Sequence, residues 1–188
     1  DAYPDAARRL VRAVGGLPLA LTLMGRRLRG ALLGNQARRV RQTLDALLAE
    51  FGGHDNRALA DVLASSDAML DPDQQAVLRA LALFPPKPAT FNEAVAVAAA
   101  DCDIEVIDAL VDAGLVESDG DRLTLHPTIA DYARARFAAP GPALVRVLAH
   151  YVVALDAVQD DPVAFDRDAG NALHVIDQAH AAELHAEA

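Results

Sequence analysis

In Leu115-Val116-Glu117-Ser118-Asp119-Gly120-Asp121-Arg122-Leu123-Thr124-Leu125-His126-Pro127, two short segments flank an Asp-Gly-Asp turn. Glycine supplies the positive φ that a tight hairpin needs, and apolar residues alternate in the second segment, so the spacing predicts strands over 115–118 and 122–125. Pro127 marks a helix start, where a missing backbone N–H costs nothing, and the helix is expected to reach about Phe137. Upstream, Asp71-Pro72 pairs a capping residue with a helix-starting proline and opens a helix to about Leu83. Phe84-Pro85-Pro86-Lys87-Pro88 forbids helix, and Thr90 and Glu93 then have capping-box spacing before an Ala/Val-rich helix. Asp101 or Asp103 starts another, with Ile104, Ile107, Leu110 and Val111 inside, and Gly114 closes it. Three helices, a hairpin and a further helix describe a winged-helix domain over residues 70–139.

Residues 1–69 read as a four-helix module. Ala6, Ala7, Leu10, Val11 and Val14 sit at helical spacing ahead of Gly15-Gly16, and Pro18 starts a second helix through Leu28 with Leu19, Leu21, Leu23, Met24 and Leu28 inside. Gly30 and Gly34 bracket its end; Asn35 caps a third helix to Phe51 with Val40, Leu44, Leu47 and Leu48 on one stripe, and Asn56 a fourth to about Met69. On the other side, Pro140-Gly141-Pro142 reads as a linker. Leu144, Val147, Leu148, Tyr151, Val152 and Leu155 then form one amphipathic helix, and Asp168 to Ala186 another, whose Leu173, Ile176 and Ala179 need a partner. Two helices do not hide both faces, so residues 140–188 are expected to start a helical repeat array. The expected fold class is therefore mainly α: four-helix module, winged-helix domain with a small β-hairpin, and the start of an array.

At 188 residues, 53% apolar and 23% charged, the chain has the composition of a soluble globular protein. Arg, Asp or Gly interrupts every apolar run before the roughly eighteen residues of a membrane span, so no membrane association is expected. The chain opens on Asp rather than Met, with no signal peptide, as expected of a piece of a longer polypeptide. Its single cysteine, Cys102, makes no intramolecular disulfide, which fits a reducing cytoplasm. Charge is divided unevenly: residues 1–41 carry nine Arg and two Asp, and the remainder has eight basic and twenty-five acidic residues. Two separately solvated surfaces account for this, as does a basic first module facing an acidic neighbour or a phosphate.

A phosphate-cradling loop needs Gly-x-x-x-x-Gly-Lys-Ser/Thr. The one lysine, Lys87, lies in a proline-rich loop without a nearby glycine, and Gly15-Gly16 and Gly52-Gly53 read as helix ends. Ser65, Ser66 and Ser118 sit in no nucleophile-elbow context, and Asp101 and Asp103 raise the pKa of Cys102 between them. His180 and His185, near Glu183, are not spaced to share a helical face. No catalytic residue and no metal ligand are therefore expected in this chain. Residues 101–113, the usual groove reader of a winged helix, hold Asp101, Asp103, Glu105, Asp108 and Asp112 and no Lys or Arg. Affinity for phosphate backbones rests on basic side chains, so nucleic acid is not an expected partner.

Taken in order, Gly16-Leu17-Pro18-Leu19-Ala20, Leu81-Ala82-Leu83-Phe84-Pro85, Leu110-Val111-Asp112-Ala113-Gly114-Leu115-Val116 and Leu125-His126-Pro127 resemble signatures of the NB-ARC family of STAND switch ATPases. The resemblance covers residues 1 to about 139 and concerns the helical and winged-helix regulatory domains. It implies that these domains close over ADP held by a separate P-loop domain of the same parent protein, with ADP or ATP and magnesium as the parent's ligands and no cofactor in this chain alone. It further implies that C-terminal helical repeats follow and that the activated parent forms a homo-oligomer. Leu17 and Pro18 match the Gly-Leu-Pro motif, which places Pro18 against the base and sugar. His126 matches the Met-His-Asp histidine, which reaches the β-phosphate, and Pro127 departs from the family's Asp. A DNA-binding transcription regulator domain and a plain protein-interaction scaffold are the alternative readings.

Overall fold

The computed structural model describes residues 4–32, 37–51, 59–138 and 140–186. Among them are ten helices and one three-stranded sheet, and the chain divides into two compact units. The first comprises Asp1–Leu70 with Asp112–Gly114, the second Asp71–Val111 with Leu115–Ala188.

The first unit contains α1 (Pro4–Ala13), α2 (Pro18–Leu32), α3 (Ala37–Phe51) and α4 (Leu59–Ala68). Gly15-Gly16 ends α1 as its sequence predicts: Gly16 N–H donates to Val11 O and Gly15 N–H to Arg12 O, each at 3.0 Å, with both glycines at positive φ. This paired closure satisfies two carbonyls that the helix leaves open. α2 passes the expected end at Leu28 and runs through Gly30 to Leu32. One helical glycine costs only about 1 kcal/mol relative to Ala, and α2 is held by packing on α3 and α4. Its buried face is Ala20, Leu23 and Met24, whereas Leu19, Leu21 and Leu28, expected inside, are half-buried. Leu44, Leu47 and Phe51 bring α3 to the same core, with Val40 and Leu48 half-buried. Arg27 of α2 donates to Glu50 of α3 and Ser65 of α4, both at 3.1 Å, and the Ser65 hydroxyl donates to Glu50. Gly34, Asn35, Gly52-Gly53 and Asn56 lie outside the described residues.

The second unit opens with α5 (Pro72–Leu81), where Asp71 and Gln74 form a reciprocal capping box. The helix stops two residues before Leu83, and tighter i→i+3 bonds carry the chain through Phe84. Next come β1 (Phe91–Asn92), α6 (Glu93–Ala100), α7 (Ile104–Ala113), β2 (Glu117–Asp119), β3 (Arg122–Thr124) and α8 (Pro127–Arg134). The sheet is antiparallel in the order β1-β3-β2, with Phe91 opposite Leu123 and Ser118 opposite Leu123 on the other side. β1 was not foreseen, and it moves the cap: Asn92, not Thr90, accepts from Val95 N–H at 2.8 Å. Asp101 closes α6 in the left-handed region (φ 55°), so of the two candidate starts Asp103 is the one that immediately precedes α7. Asp119 pairs with Arg122, which narrows the hairpin turn to Gly120-Asp121.

α9 (Gly141–Ala157) and α10 (Pro162–Ala186) complete the unit. Pro140-Gly141-Pro142, expected as a linker, forms the first turn of α9. α10 begins six residues before the expected Asp168, because Asp161 accepts from the N–H groups of Val163 and Ala164, both at 3.1 Å. α9 packs on α6 and on α10 through Ala143, Leu144, Val147 and Tyr151, met by Ala172 and Val175. Val152, expected inside, is 71% exposed; Leu173 and Ile176 are 63% and 49% exposed. Phe84 and Phe91, both fully buried, stack with ring centroids 4.2 Å apart. No helix among the described residues is long and apolar enough to cross a membrane.

Candidate functional site

Leu17 and Pro18 belong to the first unit. Leu17 O accepts the first helical bond of α2, from Leu21 N–H at 3.0 Å, so Pro18 stands at the first helical position, where its ring replaces an N–H that has no acceptor. Both side chains are exposed, Leu17 by 40%. The result is an apolar corner set over a helix N-terminus whose next amide groups point outward along the axis.

His126 lies in the second unit, between β3 and α8, and the two ends of its ring are differently occupied. Its backbone is extended (φ −65°, ψ 139°), its carbonyl accepts from Ile129 and Ala130 N–H, and Nδ1 accepts from Thr128 N–H at 3.2 Å. A nitrogen that accepts carries no proton, so the neutral ring holds its hydrogen on Nε2. That N–H has no partner among the described residues. The imidazole is thereby fixed as a helix cap on one side and a free donor on the other. The preceding residue is clamped as well, since Leu125 is buried and its carbonyl accepts from Lys87 N–H at 2.9 Å.

The remaining candidates sort by their surroundings. The five acidic residues of 101–113 are all exposed, leaving α7 with a negative outer face. Lys87 is ion-paired with Glu117 of β2. Cys102 is half-buried, and its thiol is pushed up first by burial and then by Asp103 and Asp101. Among the described residues no group of three or more His, Cys, Asp or Glu could hold a metal. His180 is exposed, and the side chain of His185 lies outside the described residues.

Sequence reasoning missed a polar network beside the sheet. Arg122, which the sequence places only at the start of the second hairpin segment, donates to Asp168 at 2.9 Å, to Thr90 Oγ1 at 3.0 Å and to Thr90 O at 2.6 Å. Asn92 also donates to Asp168, at 3.1 Å, and Asn171 to Thr90 O, at 2.7 Å. Nearby, burial above all drives the Tyr151 hydroxyl far above its ordinary pKa, and Asp168 adds to the shift. The partners in this network are up to 81 residues apart in sequence, as Asn171 is from Thr90, so no local spacing announces them. Arg134 and Arg146 act in the same way on carbonyls at helix ends: Arg134 donates to Ala82 and Phe84, Arg146 to Ala98 and Ala99. The chain matches no protein-family model, no curated protein and no solved structure.

Proposed function

We propose that this chain is the nucleotide-state-sensing regulatory part of a STAND (NB-ARC) signalling ATPase. In this reading residues 1–69 are the helical module, 70–139 the winged-helix domain and 140–188 the start of a helical array. The order α5-β1-α6-α7-β2-β3-α8, with β3 central in the sheet, supports the winged-helix assignment. The observation that carries the functional reading is the His126 ring: an Nε2–H donor without a partner among the described residues, aimed by a cap bond at its other nitrogen. An imidazole N–H held in this way is suited to a phosphate oxygen, and the exposed Leu17-Pro18 corner to the face of a base or sugar.

ADP, held on the P-loop domain of the parent, would stabilise a closed arrangement through contacts that the open one lacks. Exchange for ATP would release the winged helix and permit homo-oligomer assembly. The acidic outer face of α7 argues against a nucleic-acid partner.

The decisive experiment begins with the coding region ahead of Asp1. It should encode Gly-x-x-x-x-Gly-Lys-Ser/Thr within roughly two hundred residues, the size of one domain, and the encoded protein should retain ADP through purification. Absence of that loop sinks the switch reading. The 188-residue chain alone should bind ADP more weakly than about 10 μM, because the phosphate cradle is on another domain.

A further inference from the structure

The second unit holds a cavity of about 250 Å3 that neither Leu17, Pro18 nor His126 lines. Leu155 and Val158 at the end of α9 and Ala164 in the first turn of α10 give it an apolar wall. The rest is largely ionic, and its four charges balance: Arg122 and Arg167 against Asp121 and Asp168. Two of them are committed to each other, since Arg122 and Asp168 are paired at 2.9 Å with side chains only 14% and 17% exposed. Arg167 and Asp121 are not. Both are exposed, and neither has a side-chain hydrogen bond or ion pair among the described residues, including with the other.

A cavity with one uncommitted cation, one uncommitted carboxylate and an aliphatic wall sets three requirements on an occupant. It needs an anionic group for Arg167, a cationic group for Asp121, and a short apolar body. The volume lies just below the roughly 300–1,000 Å3 of sites that take drug-sized molecules, which favours a small occupant. We propose that this cavity binds a small zwitterion, an α-amino acid with a short aliphatic side chain. Its carboxylate meets the planar guanidinium of Arg167, which suits a carboxylate bidentately. Its ammonium meets Asp121, and the side chain lies against Leu155, Val158 and Ala164. A ligand with only one charge leaves one of the two groups without a partner and unbalances a neutral lining, so it binds less well. All of these residues belong to the second unit.

The test is a calorimetric titration of the 188-residue chain with L-valine, isovalerate and isobutylamine, the last two each lacking one of the charges. L-valine should bind saturably, and each single-charge analogue at least about tenfold more weakly. Arg167→Gln and Asp121→Asn should each weaken L-valine by about tenfold while leaving the unliganded melting temperature unchanged, because both side chains are exposed. Three results would overturn the proposal: no saturation by about 10 mM L-valine, isovalerate or isobutylamine binding as tightly as L-valine, or L-valine binding that survives both substitutions.

Discussion

At the scale of single residues, His126 caps α8 with one end of its ring and, on the proposed function, offers the other end to a phosphate; a substitution pair separates the two. Serine is a good helix cap but too short to present a distant donor. On the proposed function, His126→Ser in the longer protein should therefore keep apo stability yet lose ADP retention about ten- to a hundredfold, matching the ~1.5–3 kcal/mol of a hydrogen bond to a charged group. His126→Ala should lose retention and, in addition, about 1 kcal/mol of stability with the cap. A serine variant that releases ADP at the parental rate would leave the histidine a cap only. His174 of α10 makes stability depend on pH. Its pKa is lowered, first by burial and then by Arg134 of α8, with Asp177 pulling the other way, and its Nε2 is buried without a hydrogen bond. The unfolded chain then binds the proton more readily, so stability is present above the ordinary histidine value near 6.5 and is lost as pH falls through the lower folded value. Melting temperatures from pH 7.5 to 5 should drop less steeply in His174→Gln than in the parent; parallel slopes would refute this. Cys102 should alkylate more slowly than a free thiol near pH 8 and faster after Asp103→Asn, a comparison that mass spectrometry resolves.

Among the elements, starts were more legible than ends. Asp71-Pro72 announced α5 because the cap is complete within four residues, and Asp71→Ala should lower the urea unfolding free energy by about 1 kcal/mol, with 0.5–2 the usual span for such caps. The same dipeptide recurs as Asp161-Pro162 and starts α10, six residues before the predicted Asp168, and the apolar pattern just beyond it is thin. Asp168 instead faces the sheet, bound to Asn92 and Arg122. β1 was illegible for a different reason. Two residues show no alternation, and Phe91-Asn92 becomes a strand only by lying against β3, some thirty residues later. Gly15-Gly16, Gly114 and Gly120 were readable from composition because each occupies a positive φ that the turn requires. Gly30 carries no such demand, and α2 runs through it.

For the whole molecule, the uneven charge sets the expectation for polyanions. Duplex DNA should bind weakly at physiological salt, and any residual shift should weaken after Arg8, Arg9 and Arg12, all exposed on α1, are replaced by Gln. A nanomolar shift that depends on Arg122 or on residues 101–113 would favour the transcription-regulator reading instead. Of the candidate site, the sequence revealed Pro18 and His126 because both are local: each sits at a helix start that its own neighbours define. Arg122 was hidden because a charge count along the chain does not see α10, where its carboxylate partner lies. That partnership bears on how the chain can be recombined. A cut at Pro140 looks inviting by composition, yet it would strip Asp168 from Arg122, Asn171 from the Thr90 carbonyl and Gln178 from the Leu83 carbonyl. It would also uncover the α6 surface on which α9 packs. The sheet and the last two helices thus travel as one heritable piece, and gene fusions that join a foreign segment after Ala186 should be tolerated where those that join it at Pro140 are not.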